Sequence, residues 1–162
     1  MIVVSNTSPI TNLAAIGKLE ILEQLYGTII IPQAVYQELT DGGDLIPGSR
    51  EVKTVKWIQI EHISNPEQVI LLQERLDRGE SEAIALAIEL TADLLLLDEQ
   101  LGRQVASEYS LVFTGILGVA IEAKHKGLIS AVKPLLDDLI NIAEFWINSQ
   151  LYSRVLNIVG ES

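Results

Sequence analysis

Short apolar runs alternate with longer amphipathic stretches along this chain. Five runs rich in Val, Ile and Leu are bounded by turn residues and predict β-strands at residues 2–4, 28–31, 57–60, 94–97 and 111–113. Apolar residues with helical spacing predict helices at residues 9–16, 19–25, 33–39, 66–76, 83–90, 99–108, 115–126, 131–142 and 145–159. Because strands alternate with helices, the pattern predicts an α/β fold with three layers, α/β/α, around a central parallel sheet.

Turn residues add detail to these predictions. Ser8 and Pro9 predict the cap and the first turn of the first helix, and Pro32 predicts the start of the third. Glycines and prolines concentrated between residues 40 and 50 predict an exposed, mobile loop. The leucine run is apolar throughout, which is typical of a central strand covered on both faces, whereas residues 57–60 alternate and suit an edge strand.

Composition limits the kind of protein and the kind of chemistry. The chain has 162 residues, 48% of them hydrophobic, which suits one domain over residues 1–162 with a helical tail at about 141–160. No apolar run is long enough to cross a membrane and no secretion signal is present, so we expect a cytoplasmic protein without a membrane partner. There is no cysteine and there are only two histidines, so any metal site must rely on oxygen ligands.

The net charge of −11 argues against a protein that binds nucleic acid by bulk attraction. Binding to RNA therefore needs local positive charge. The candidate groups are Arg50 with Lys53 and Lys56, Arg75 with Arg78, Arg103, and Lys124 with His125 and Lys126. For each group, solvated surface charge is the simpler interpretation.

Polar residues follow two of the predicted strands where their carboxyl ends meet. Asn6 follows the first strand, and Asp98 with Glu99 follows the leucine strand. Ligands collect at this edge of open parallel sheets because the loops there form a crevice. Taken singly, each residue also suits a turn, a helix cap, a helix dipole or a solvated position. Together they can form an oxygen-only cluster with three helical carboxylates, Glu38, Glu80 and Glu82.

Six segments occur in a fixed order along the chain: VVSNTSPI, IIIPQAVYQEL, RGESEAIALA, LLLLDEQLGRQVA, TGILGVAIEAKHKGLI and FWINSQLY. Together they resemble the PIN-domain family, in particular the short stand-alone proteins often found in prokaryotic toxin–antitoxin settings. The resemblance covers essentially the whole chain. It implies a three-layer α/β/α fold with a central parallel sheet, an acidic cluster that binds Mg²⁺ or Mn²⁺, and ribonuclease activity.

The resemblance also implies which residues form the site. It maps the acidic positions of the family, as metal ligands and catalytic residues, onto Asn6, Glu38, Glu82 and Asp98. Glu99 is implied as a further metal ligand, and Ser8 matches a small hydroxyl residue near the first acid. Asn6 departs from the pattern, because the family has an acid there. An amide oxygen can bind a metal, but it carries no charge and cannot act as a base, so we expect weaker metal binding.

The leading functional hypothesis is a metal-dependent endoribonuclease of PIN type, acting on RNA as a toxin that an antitoxin protein controls. The alternative is a catalytically weak PIN-like module that binds RNA or a protein partner. An aspartyl-phosphate phosphatase would need an aspartate after the first strand, and residues 5–8 contain none. A receiver-type phosphoacceptor would need a lysine at the end of a later strand, and residues 111–114 contain none.

The C-terminal tail carries apolar residues at helical spacing, namely Trp146, Leu151, Tyr152, Val155 and Ile158. Packing on the protein's own core is the interpretation we favour for this stripe. The alternative is a contact surface for a second copy or an antitoxin, and we expect a homodimer.

Overall fold

The computed structural model describes residues 1–162. Its strands are β1 (Val3–Ser5), β2 (Ile29–Pro32), β3 (Ile58–Glu61), β4 (Leu94–Leu96) and β5 (Phe113–Thr114). Its helices are α1 (Thr7–Ala15), α2 (Glu20–Tyr26), α3 (Gln33–Thr40), α4 (Ser49–Thr54), α5 (Pro66–Leu72), α6 (Arg78–Leu90), α7 (Gln100–Glu108), α8 (Ile116–His125), α9 (Lys133–Asn141) and α10 (Ser149–Ile158). The predicted alternation of strands and helices is confirmed.

The five strands form one parallel sheet in the order β3-β2-β1-β4-β5. The chain builds outward from β1 to β3, then returns to the other side of β1 and continues to β5. The strand order therefore reverses between β1 and β4, where Ser5 pairs with Leu96. This reversal opens a crevice at the carboxyl ends of β1 and β4, which is where open parallel sheets bind ligands.

Hydrophobic side chains fill a layer on each face of the sheet. Val3 and Val4 are adjacent in β1 but belong to different cores, as do Leu96 and Leu97 at the end of β4. One core includes residues of α1, α2, α3, α4, α8, α9 and α10, and the other includes residues of α5, α6 and α7. Because successive strand residues face opposite layers, an all-leucine strand is buried on both sides, as predicted.

Two local predictions differ from the structure. The first helix begins at Thr7 with Asn6 at the cap position, because the Asn6 backbone is still extended, with ψ 177°; Ser8 and Pro9 lie inside the first turn. Residues 40–50 are not an irregular loop, since a 3-10 turn forms at Gly43–Leu45 and α4 starts at Ser49. Their glycines instead permit the turns, with Gly43 at φ 70° and Gly48 at φ 94°.

The C-terminal tail is helical only from Ser149, where the Asn148 side chain accepts a hydrogen bond from the Leu151 N–H at 2.8 Å. Its apolar stripe divides. Val155 is 3% exposed and packs on the core, whereas Ile158 is 56% and Trp146 80% exposed. The favoured interpretation of the stripe, packing on the protein's own core, therefore holds for only part of it.

None of the helices is both long and apolar enough to pass through a membrane.

Candidate functional site

Asn6 lies at the carboxyl end of β1 and is 5% exposed. Its backbone N–H donates to the Leu96 carbonyl at 3.0 Å, which ties it to the end of β4. Although it occupies the cap position of α1, its side chain makes no capping hydrogen bond. Asn side chains at this position normally accept a bond from the helix N-terminus. The amide of Asn6 is therefore held at the crevice without a structural partner there.

Glu38, near the end of α3, reaches the residues next to Asn6. Its Oε2 accepts a hydrogen bond from the Thr7 hydroxyl, and its carboxylate lies over Gly79 at the start of α6. Burial raises the pKa of Glu38, and the neighbouring charges of Asp77 and Glu82 raise it further against this hydrogen bond. Glu38 thus bridges α1 and α6 at this edge of the sheet.

Glu82 is 4% exposed, and both of its carboxylate oxygens have partners. Oε1 accepts from the Ala34 N–H in the first turn of α3 at 3.0 Å, and Oε2 accepts from Arg78 Nε at 3.1 Å. A helix N-terminus has unpaired N–H groups, so a buried carboxylate there stabilises the fold. The metal-binding role mapped onto Glu82 stays a prediction, and these contacts describe a structural carboxylate.

Glu80, two residues earlier on α6, has different neighbours. It is 9% exposed, and its Oε2 lies over Gly102 of α7, where a Cβ atom would be 2.8 Å from that oxygen. Burial raises the pKa of Glu80 to about 7, with further contributions from a hydrogen bond to Asp77 and the charges of Asp77 and Glu99. The glycine leaves space for this carboxylate, and no cation neutralises it.

Asp98 follows β4 at the crevice. Its Oδ1 accepts from the Ile116 N–H at the start of α8 at 2.9 Å, and Arg103 Nη2 lies 3.9 Å from the same oxygen. Its Oδ2 is buried and has no hydrogen-bond partner; the Ser8 hydroxyl lies nearby without the geometry of a hydrogen bond. Burial raises the pKa of Asp98 in spite of the Ile116 N–H and Arg103.

Six carboxylates thus lie side by side along the carboxyl edge of the sheet, and we call them the acidic row: Glu82, Glu38, Asp77, Glu80, Glu99 and Asp98. Each of these carboxylates either raises the pKa of a neighbouring carboxylate or has its own pKa raised by one. The row is extended, since no group of three or more acidic or histidine side chains converges on one metal-binding point. The structure therefore brings the predicted residues to one edge, in adjacent pairs.

The donor chemistry of the row suits a hard divalent cation. Asp98 has a buried oxygen without a donor, the Asn6 amide is not used as a cap, and Glu80 is held near other carboxylates at a raised pKa. Such cations prefer carboxylate and amide oxygens and keep several water ligands. Asp98, Asn6 and Glu80 fit this group of ligands better than Glu82, whose oxygens are already bonded.

Two residues of this site, Glu80 and Arg103, are not among the ligands that the family resemblance implies. Residues two apart on a helix point about 200° apart, so Glu80 and Glu82 cannot both face the crevice. That spacing was a usable signal, but every residue from Gly79 to Ala87 is buried, so no polar face indicates which of the two turns inward. Arg103 is fixed, because its Nε donates to the Leu97 carbonyl at 2.8 Å.

Comparisons with known proteins agree with this architecture. A family model described as a PIN domain matches residues 2–161. Comparison with curated proteins gives no match. Among solved structures, the chain is similar to a PilT N-terminus domain protein from the hyperthermophilic archaeon Sulfolobus solfataricus, at 21% identity and a TM-score of 0.55, over 74% of this chain and 90% of that chain. This likeness confirms the three-layer fold. Because the family model spans nearly every residue that builds the sheet and its acidic edge, the protein belongs to the PIN-domain family.

Proposed function

We propose that this protein is a metal-dependent endoribonuclease of PIN type that hydrolyses phosphodiester bonds of RNA at the acidic row. The observation that carries the proposal is the buried Oδ2 of Asp98, which has no hydrogen-bond partner at the crevice between β1 and β4. A buried carboxylate oxygen without a donor is costly unless a ligand supplies the missing positive charge. The fold of the family, which is nuclease-like, supports the same conclusion.

PIN domains are generally dependent on divalent metals, and we assign Mg²⁺ or Mn²⁺ to this site. Asp98 would hold it together with Asn6 and Glu80. The neighbouring carboxylates of Glu38 and Glu99 would add negative charge around the cation. When bound, such a cation neutralises phosphate charge and lowers the pKa of water. Glu82 is the residue of the mapped set with the weakest support as a ligand, because its oxygens already have donors.

The residues of the chain itself supply ligands and charge. Without a metal, burial and neighbouring acids raise the pKa of Glu80 to about 7, so a cation at this site would compete with that proton for the carboxylate. Asn6 offers its amide oxygen as an uncharged ligand. Arg103, held 3.9 Å from Asp98 Oδ1, places a fixed positive charge where a phosphate oxygen would approach.

RNA cleavage with and without metal tests the proposal. Purified protein should cleave single-stranded RNA in Mg²⁺ or Mn²⁺, and EDTA should abolish cleavage. Asp98→Asn should lower the rate by about 100-fold or more, because the amide loses the charge while keeping the shape. The matched control is Asp93→Asn, at the opposite end of β4, where Oδ2 accepts only from the Ile2 N–H at 2.6 Å. Equal rates for wild type and Asp98→Asn would remove Asp98 from the site.

The partners we propose are RNA as substrate, a second copy of the chain, and an antitoxin protein as inhibitor. Two adjacent apolar residues of α5, Ile70 at 66% and Leu71 at 53% exposure, support self-association. Light scattering of wild type against Ile70→Glu measures it, and a dimer unaffected by this change would place the interface elsewhere.

Induced expression should arrest growth for wild type and not for Asp98→Asn if the protein is a toxin.

A catalytically weak binding module is the second candidate. It is favoured by the uncharged Asn6 and by the absence of three converging carboxylates at any point of the row. Its signature would be RNA binding without cleavage in either metal. A cleavage rate in Mg²⁺ or Mn²⁺ that depends on Asp98 contradicts it.

A further inference from the structure

A groove of about 560 Å³ opens beside the acidic row, between the β5–α8 connection and α10. Asp98 and Arg103 are among the residues that line it, so the groove adjoins the candidate site. Its volume lies within the usual range of ligand pockets, about 300–1,000 Å³. A ligand in this groove would therefore lie against the Asp98 side of the row.

Aromatic side chains are concentrated in this groove. The chain contains only two phenylalanines and two tryptophans, and Phe113, Phe145 and Trp146 all line it. Trp146 is 80% exposed on the segment between α9 and α10, so most of its ring is accessible to a ligand. Flat aromatic faces bind nucleobases by stacking, irrespective of sequence.

The charges of the groove are opposite in sign to those of the whole protein. Arg103 and Arg154 line it with a single carboxylate, Asp98, in a chain whose net charge is −11. Arg154 makes no ion pair, whereas the other four arginines each have a carboxylate within 4 Å. The guanidinium of Arg103 is stacked over the Phe113 ring, 5.5 Å from its centroid. This groove is thus a local positive surface with aromatic walls, next to the acidic row.

We propose that the groove binds one unpaired base of a single RNA strand, stacked on Trp146, while Arg103 and Arg154 contact the flanking phosphates. The proposal rests on the proposed function in one respect, since it directs the phosphodiester beside that base towards Asp98. An unpaired base is required because only a base released from a duplex exposes both of its faces to aromatic side chains.

Binding of an oligouridine of about eight nucleotides in EDTA tests the groove separately from catalysis. Fluorescence anisotropy of the labelled oligonucleotide gives the Kd at several salt concentrations. Trp146→Ala should weaken binding about tenfold, and Trp146→Phe should restore most of the loss. Arg154→Gln should weaken binding severalfold and reduce the slope of log K against log salt by about 0.7, as expected for one lost phosphate contact on a single strand.

Two matched substitutions serve as controls. Trp57→Phe changes the other tryptophan, which packs against the core, and Arg75→Gln changes an exposed arginine that is paired with Glu108 at 2.8 Å. Both should leave the Kd unchanged. The same oligonucleotide annealed to its complement should bind weakly and show no response to Trp146→Ala. Because Trp146 is exposed, its replacement should also leave the melting temperature unchanged.

Four results would overturn the proposal. Equal affinity of wild type and Trp146→Ala for the oligonucleotide would show that no base stacks on Trp146. Equal affinity for duplex and single strand would show that the groove does not require an unpaired base. A dimer that Trp146→Ala converts to monomer, with oligouridine binding unchanged, assigns the groove to a second copy of the chain. Cleavage by Trp146→Ala with an unaltered KM overturns the groove while the endoribonuclease stands. Binding that depends on Trp146, without any cleavage by wild type, supports the groove while the proposed catalysis fails.

Discussion

Carboxylates occur in two contrasting environments in this protein. In the acidic row, burial and mutual repulsion raise the pKa of Glu38, Glu80 and Asp98, and Glu80 reaches about 7. Glu161, near the C-terminus, has a pKa lowered to about 2 by Lys124 and by two backbone N–H groups. The first environment compensates the negative charge only in part, and the second compensates it with one cation and two N–H donors. A carboxylate that serves the fold has its donors in the chain, whereas one that serves a ligand lacks them.

The donors of Glu161 are specific. It accepts from Lys124 Nζ at 2.7 Å, the Val132 N–H at 2.8 Å and the Lys133 N–H at 3.0 Å, which joins the end of the chain to α8 and the start of α9. Along α6 the same contrast recurs over two residues, because the carboxylate of Glu82 has two donors and that of Glu80 has none. The contrast predicts opposite effects of substitution at the two kinds of site.

The largest effect is expected at Glu80. Glu80→Gln should lower RNA cleavage by about 100-fold, since the amide cannot bind the cation as a charged ligand. Glu82→Gln should leave cleavage by the folded protein unchanged, because its remaining oxygen still accepts from Ala34. Calorimetric titration with Mg²⁺ gives a second readout. If Mg²⁺ binding is weaker in Glu82→Gln and unchanged in Glu80→Gln, Glu82 is the metal ligand, as the family resemblance implies.

Stability should respond in the reverse order. Glu82→Ala leaves the buried Ala34 N–H and Arg78 without an acceptor and should lower the free energy of unfolding by about 1–3 kcal/mol. Glu80→Gln should not destabilise the protein in EDTA, because it removes a charge that burial disfavours. Urea unfolding at pH 8 measures both variants. A loss of stability in Glu80→Gln equal to that in Glu82→Ala would show that both carboxylates serve the fold.

The two environments should also give opposite pH dependence. Between pH 4.5 and about 7 the folded protein holds a proton on Glu80 that the unfolded protein has released, so stability from this group falls as the pH rises through that window. For Glu161 the unfolded protein holds the extra proton between pH 4.5 and about 2, so its contribution is lost as the pH falls through that window. Thermal unfolding of Glu80→Gln and Glu161→Gln in EDTA should flatten these two slopes separately, and an unaltered slope in either variant contradicts the assignment.

The smallest effect is expected at Asn6. Asn6→Asp adds a negative charge to the acidic row and should lower the melting temperature slightly in EDTA, by the equivalent of a few tenths of a kcal/mol. In Mg²⁺ the same charge becomes a ligand, so the affinity for the metal and the rate of cleavage should both rise. Calorimetry and the cleavage assay check this reversal. If Asn6→Asp changes the melting temperature equally with and without Mg²⁺, Asn6 is not part of the metal site.

Patterning alone predicted the fold to within a few residues of most strand and helix bounds. The leucine run of β4 and the β-branched runs of β1 and β2 are too short and too apolar for surface helices, and turn residues separate them from the helices. The edge position of β3 followed from its alternation, which the sheet order confirms. Capping was less predictable, since Asn6, Thr7 and Ser8 all favour a helix start and the extended backbone at Asn6 decides among them.

The sequence by itself determined the class of fold, the edge at which polar residues collect and the position of Asn6 after the first strand. These depend on local propensity and on the period of apolar residues. It did not determine which glutamate of α6 faces the crevice, because that helix is buried all round. Only the tertiary structure decided this, by placing Ala34 against Glu82 and Gly102 against Glu80. The same holds for the groove at Trp146, whose walls come from segments distant in sequence. Contacts between distant segments depend on how layers pack, and a linear pattern carries no record of that packing.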